Sequence, residues 1–483
     1  MPEIRFGKWQ PDLPPPDAEL TVCKNVLPVD GTYRQAKEMQ PVGDQIPGII
    51  RGAFRAFDRQ GNAYVYAGTE DSLHWGSSAQ WNTTSGFTLY EEQYWRFTQY
   101  GKWVLATNYT DPVQVASVGG GFQAASDAPK ARTLGVIRDF VVAGDIVSFD
   151  FEPNAIQWSA IGDPLDWPIP LTDDARSKQA GKQVLHAEYG NVTFIANGER
   201  FGLIFQERGI SRATYVGGDV VFQFDTFEKG GKGCITPNGA IQVDDLTYFL
   251  SGEGFHVTDG QQVRDIGQGA VDKWFWSRVT NDRELLAKIS VSHDPMKKLI
   301  MWAYPSGGAG SPNEVIMFNY ADGRWSYLEV NCDLLFPTVT TGVSLDDLDE
   351  FFDALADVSP GLDSNFWKGG DLVSGGFLHG RLATFTGHPL TAHIETGEAQ
   401  FGRGGRAFLR AVHPVIEGGA HVMQILHRDG TVTPPKESAP VIPGRSGWIY
   451  CRINAKYHRF RVKVSGGFDY AQGLLYEATG AGR

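Results

Sequence analysis

From about residue 49 onward, the chain is dominated by short runs in which apolar and polar residues alternate. In Asn154-Ala-Ile-Gln-Trp-Ser-Ala-Ile-Gly-Asp-Pro-Leu-Asp-Trp167, Ile156 and Trp158 alternate with Ala155 and Gln157. A period of two belongs to a strand with one buried face. Gly162-Asp163-Pro164 ends that strand, because Gly allows positive φ and Pro has no amide hydrogen for a ladder. The preceding run, Phe140 to Phe149, reads as a hairpin turning at Gly144-Asp145. Residues 138–167 therefore predict a small antiparallel sheet, with Trp158 and Trp167 buried in it.

Loose copies of this unit recur at Ile49 to Trp75, Tyr94 to Val118, Val184 to Phe205, Ala240 to Ile266 and Ala287 to Tyr327. A seventh lies between Leu334 and Thr386, interrupted by an insertion. The starts lie about 40 to 55 residues apart, and a repeat of that length with roughly four strands is the signature of propeller blades. The expected fold is all-β: a β-propeller of six or seven blades, with two packed sheets as the alternative. Inside the insertion, Ser344-Leu-Asp-Asp347 fits a helix start, and Leu345, Leu348, Phe352 and Leu355 follow at helical spacing. One short acidic helix is expected there, over about 344–357.

The two ends differ from the repeats. Residues 1–48 hold the proline-rich stretch Lys8 to Pro16 and read as an arm that Trp9, Leu13 and Tyr33 pin to another surface. Residues 49–389 form the propeller platform. In residues 390–483, strands are expected at His393 to Glu395, Ala407 to Val412, Val422 to Leu426, Trp448 to Tyr450 and Tyr457 to Val464. These predict a smaller β-sandwich-like domain.

Composition agrees with many short strands and tight turns: 483 residues, 42% hydrophobic, 12% aromatic, with 58 glycines. The four cysteines show no C-x-x-C spacing, which suggests free thiols in a reducing cytosol. No apolar run reaches the length of a membrane span, and the N-terminus lacks a signal-peptide core. Synthesis in a cytosol is expected. The net charge of −13 is uneven: residues 390–483 hold twelve Lys and Arg against seven Asp and Glu, a net of +5, which leaves −18 on residues 1–389. An acidic surface repels a phosphate backbone.

Chemistry is sparse. The chain has no G-x-S-x-G, P-loop, H-E-x-x-H or EF-hand loop. Seven of eleven histidines lie at or beyond His379, but their spacing matches no ligand set. Asp322-Gly-Arg-Trp325 reads as a tight turn capped by Trp, and Gly119-Gly-Gly121 and Lys229 to Gly233 read as loops. No catalytic, cofactor-binding or metal-ligating residue is assigned, no cofactor is expected, and an enzyme is not expected.

The 154–167 segment resembles the N-x-[VI]-x-W-S-x-x-G-[DN]-P-x-x-W segment of tail nozzle proteins of short-tailed bacteriophages, also called tail-hub or packaged-DNA stabilisation proteins. Trp9-Gln-Pro-Asp-Leu-Pro14 with Lys24 to Arg34 is similar to their N-terminal arm, and Tyr457 to Arg483 to their C-terminal strand pair. The resemblance implies a propeller platform in a homo-oligomeric ring, of six copies, in the virion tail. Its implied partners are portal or adaptor proteins, tail fibres or tailspikes, and duplex DNA passing through the lumen without tight binding. The ring lumen is expected to be lined mainly by carboxylates from before residue 390. Two other readings are a glycan-binding adhesin using loop aromatics between Tyr90 and Tyr100, and a propeller glycosidase with paired carboxylates in its central pocket.

Overall fold

The structure, a computed structural model, describes residues 2–76, 80–147, 151–341, 369–402 and 405–480. The helix expected over 344–357 lies outside the described residues. Strands of two to ten residues fold into antiparallel four-stranded meanders, each beginning with an inner strand. The inner strands are Ala53–Phe57, Arg96–Tyr100, Lys130–Ile137, Val192–Ala196, Ala240–Val243, Ser290–Asp294 and Leu334–Thr341. They open blades 1 to 7 in chain order. Each inner strand lies against the next, and that of blade 7 lies against that of blade 1, so the ring closes. Six meanders are separate sheets, and the sixth blade is continuous with a thirteen-stranded sheet. Seven apolar clusters hold the blades face to face. The β-propeller expected from the repeat is present, and no second stacked sheet replaces it.

The signature segment clamps blade 3 from both faces. Trp158 is 5% exposed and packs edge-on against Phe222 of blade 4, with ring centroids 5.3 Å apart. Trp167 is 2% exposed and sits in the core between blades 2 and 3, its Nε1 donating to the Pro164 carbonyl at 3.0 Å. Trp158 lies across Gly181 on the neighbouring strand, where a Cβ would come within 2.6 Å of the ring. Gly162 makes the turn between the two tryptophans at φ +72°. The Gly144-Asp145 pair does not turn the chain. Phe140–Val147 is one strand, the turn falls at Arg138-Asp139, and Asp145 (φ +55°) is a bulge. Apolar residues on both sides of the pair are buried, so leaving the sheet there would expose them.

The arm is woven into the fold. Its strands are β1 (Glu3–Arg5), β2 (Leu20–Lys24), β3 (Val26–Val29), β4 (Thr32–Gln35) and β5 (Gln40–Val42). β2 pairs with the outer strand of blade 6 on one side and with Ala392–Thr396 on the other. β5 is the fourth strand of blade 7, so residues 40–42 belong to the propeller rather than to the arm. Trp9 and Tyr33 are buried and Leu13 is half-buried. Trp9 stacks on Tyr327 at 5.1 Å and meets Trp274 edge-on at 4.7 Å. Three short α-helices lie among the described residues, none foreseen: α1 (Asp173–Ser177), α2 (Asp272–Arg278) and α3 (Arg283–Ala287). The arm caps α2: the Asp12 carboxylate accepts from the Lys273 and Trp274 amides at 2.9 and 2.8 Å. Val271 at the N-cap has no side chain that could do this.

The C-terminal region is a curled sheet built on one long hairpin, Ala407–Arg428 against Tyr457–Gly480, rather than two facing sheets. The segments expected at 407–412 and 422–426 are a single strand, because Gly418 and Gly419 at positive φ form bulges and leave the pairing intact. Phe460, Val462 and Val464 point to the core, as their alternation with Arg459, Arg461 and Lys463 required.

Two expected outcomes follow from this packing. Trp158→Ala removes a ring from the core between blades 3 and 4, and should cost about 3–5 kcal/mol in urea unfolding. Asp272 is buried beside Asp12 and Asp265, and its side chain accepts from the Phe255 amide at 3.1 Å. Burial, reinforced by those two acids, pushes its carboxyl from 3.8 up to about 7. Between those values the folded chain keeps a proton that the unfolded chain has lost, so stability falls as pH rises through the window. Asp272→Asn should therefore melt higher than wild type, by a margin that grows from pH 4 to pH 7 and then levels off at about 1–3 kcal/mol.

Candidate functional site

The seven inner strands enclose an axial cavity of about 370 Å³. Its wall is tied from blade to blade by side chains. The Gln99 amide donates to the Phe57 carbonyl at 2.7 Å and accepts from the Phe57 amide at 3.1 Å, joining blade 2 to blade 1. Asn197 accepts from the Val136 amide at 2.7 Å, joining blades 3 and 4. Gln242 donates to the Asn197 carbonyl at 2.9 Å, joining blades 4 and 5. Ser290 Oγ accepts from the Leu335 amide at 2.8 Å, and Arg55 donates to the Thr338 carbonyl at 2.8 Å, carrying the ring through blades 6 and 7 back to blade 1. Inner strands of different blades cannot form a full ladder around an axis, and these side chains satisfy the backbone groups left over.

The charge of the wall changes along the axis. Its charged lining residues are Arg55, Arg96, Lys288 and Asp333. Asp333 already accepts from the Gly380 amide at 2.7 Å, and Lys288 reaches Glu284 and the Gly310 carbonyl. Arg96 is half-buried, and its Nε and Nη2 are enclosed and lack a hydrogen-bond partner among the described residues. Burial draws its guanidinium from 12.5 down to about 9, and the nearby charged or polar groups acting on it are the Cys234 thiol and the Arg132 guanidinium. Burial also lowers Arg55, whose Nε is unpartnered.

At the beginnings of the inner strands lies a second cavity of about 280 Å³, with Arg132, Asp145, Glu92, Glu207 and Arg283 in its wall. Arg132 Nε donates to Asp145 Oδ2 at 2.7 Å, and its guanidinium lies 4.2 Å from the Tyr109 ring centroid. Asp145 has no exposed surface, and burial raises its carboxyl to about 6 against the pull of Arg132. At the ends of the inner strands the opening is wider, about 1010 Å³, and its wall holds Glu199, Asp244, Asp245 and Asp259 against Arg138 and Arg200. The axis thus runs between two mouths rich in carboxylates through a cationic waist.

Sequence reading assigned no site residue; the structure brings Arg55 and Arg96 to the axial cavity and pairs Arg132 with Asp145. Among the described residues, no group of three His, Cys, Asp or Glu could hold a metal. His427 and His458 face each other across the long hairpin, and burial keeps His458 neutral, drawing its imidazole down to about 4. Among the described residues, Asp333 is the one carboxylate lining the axial cavity. Of the aromatics from Tyr90 to Tyr100, Tyr90 is exposed and Trp95 is a core residue stacked on Phe97. Cys23, Cys234, Cys332 and Cys451 are all free thiols. No described helix is long and apolar enough to cross a membrane.

By fold, the chain belongs to the β-propeller class. No protein-family description and no curated protein matches it. Among solved structures it is similar to the computationally designed Ika8 protein, at 10% identity over 62% of this chain and 93% of that one, with a TM-score of 0.35. It is similar to the WD40 domain of Neurospora crassa Pan2, at 10% identity over 62% of this chain and 89% of that one, with a TM-score of 0.38. YCF48 bound to D1 peptide is comparable, at 9% identity over 60% and 85%, with a TM-score of 0.35. Such distant likenesses add nothing to the strand order.

The ties around the axis can be tested singly. Gln99→Leu leaves the Phe57 amide and carbonyl unpaired at the cavity wall, and should cost about 2–3 kcal/mol in urea unfolding.

Proposed function

We propose that the chain is a structural subunit of a bacteriophage tail nozzle: a homo-oligomeric ring of six that retains the packaged genome and conducts it during ejection. The observation that carries this reading is how the three segments resembling that family sit in the fold. The arm, the tryptophan segment and the final strand are far apart in sequence. The first and last are joined in one sheet, with Tyr33 paired to Ala471 and Lys24 linked through His393 to Lys463. Both are continuous with blade 6, and the tryptophan segment locks blade 3 to its neighbours. The result is one body with its ends tied in, suited to a part loaded by DNA moving past it. The −18 on residues 1–389 supports a surface that repels the duplex and lets it slide.

Purified protein, imaged by negative stain and weighed by mass photometry, should form rings of about six subunits, alone or with its adaptor partner. It should bind duplex DNA weakly at about 50 mM salt. Protein that stays monomeric with the adaptor present, or tight DNA binding lost steeply by about 200 mM salt, would overturn the proposal.

A further inference from the structure

We propose that the propeller axis holds a small oxyanion, a phosphate or a carboxylate, bound by Arg96 with Arg55. A guanidinium is always charged under physiological conditions and has five N–H donors. Enclosing that charge without a counter-charge is costly, and buried charges in folded proteins are paired or ligand-bound. Arg96 breaks this rule within the chain: two of its nitrogens are enclosed and unpartnered, and the charged group acting on it is another cation. Arg55 contributes a third unpartnered nitrogen, its Nε, to the wall of the same cavity. Among the described residues the one carboxylate lining that cavity, Asp333, forms no ion pair with either arginine and accepts from the Gly380 amide instead. Elsewhere the fold pairs its enclosed arginines, Arg132 with Asp145, Arg278 with Glu314 and Arg459 with Glu395. The missing partner is therefore an external anion with several acceptor oxygens, which matches the forked donors of a guanidinium.

The cavity, about 370 Å³, takes one small ion and excludes a nucleic-acid duplex. Water could satisfy the N–H groups but not the charge. An anion there would join blades 1 and 2, the ring's first two, to the waist they surround. This inference does not rest on the nozzle reading and stands whether or not the chain forms rings.

The test is isothermal titration calorimetry on the full chain with inorganic phosphate, and separately with acetate and citrate, in chloride buffer at constant ionic strength. One saturable site per chain is expected for at least one of these anions, with a rise in melting temperature of about 2–5 °C near saturation. Arg96→Met should weaken that binding at least about tenfold, as expected when a charge-assisted fork is lost. Arg96→Lys should restore part of it. Arg96→Met should melt no lower than wild type in chloride alone, because it removes an unpaired buried charge. The calorimetry can therefore be read on folded protein, verified by circular dichroism. Preference for phosphate, acetate or citrate identifies the natural class. Absence of saturable binding for all three, or binding unchanged in folded Arg96→Met, overturns the proposal.

Discussion

Backbone pairing at the open edges of the blades is the constraint on which the rest of this structure depends. A meander of four strands leaves the amides and carbonyls of its outermost strand facing outward, and such an edge attracts other chains. Two of these edges are closed by the N-terminal segment. β5 completes blade 7 and thereby ties the end of the ring to its beginning, because blade 1 follows β5 directly in the chain. β2 covers the edge of blade 6 and transfers it to Ala392–Thr396 and then to the long hairpin. One segment of about forty residues therefore closes the propeller and fastens the C-terminal sheet to it.

That segment needs anchors that hold it in register, and they are polar contacts set in apolar surroundings. Tyr33 donates to the Gly7 carbonyl at 2.7 Å beneath the Arg324 guanidinium. Asn25 reaches the Thr391 carbonyl and accepts from the Glu329 amide. On the far side of β2, Glu395 is enclosed between Arg459 and Arg461, so the linking strand and the hairpin are joined by charge as well as by backbone. Removing one partner of such a group would strand the others without water, which makes register errors costly. Asp12 capping α2 and Trp9 wedged between Trp274 and Tyr327 work in the same direction.

The blades were legible in the sequence because each strand keeps one period and each turn has its own chemistry. Asp58 to Asn62, Tyr100 to Lys102 and Asp322-Gly323 all mark real turns. The reading failed where one residue type serves two conformations. Gly144-Asp145 and Gly418-Gly419 look like turns, yet both are bulges inside strands whose flanking residues are committed to pairing. The pairing of the arm was illegible for a related reason: proline richness over residues 11–16 is local, whereas the strands on either side of it pair with partners hundreds of residues away. The axial arginines were invisible because alternation on an inner strand cannot distinguish a side chain facing solvent from one facing a closed axis. Only the assembled ring brings Arg55 and Arg96 to one cavity.

Under the nozzle proposal, the same ring limits where a genome could pass. A duplex has a major groove about 12 Å wide, and the axial cavity, at about 370 Å³, is too small to admit it. In a nozzle, DNA must therefore run along an outer face of each propeller or along the C-terminal sheet, between copies rather than through one. The net charge of a region then says less than the charge of one face. Residues 1–389 are acidic as a whole, yet their axis is cationic at the waist and acidic at both mouths. The C-terminal region, at +5, spends part of its positive charge internally, with Arg428, Arg459 and Arg461 paired to Glu398 and Glu395. Those glutamates, and Glu437 beside Arg461, belong to the same region, so the pairs cancel among themselves and leave the net +5 on its other side chains, a charge that would give a duplex passing the proposed nozzle weak, salt-dependent contact.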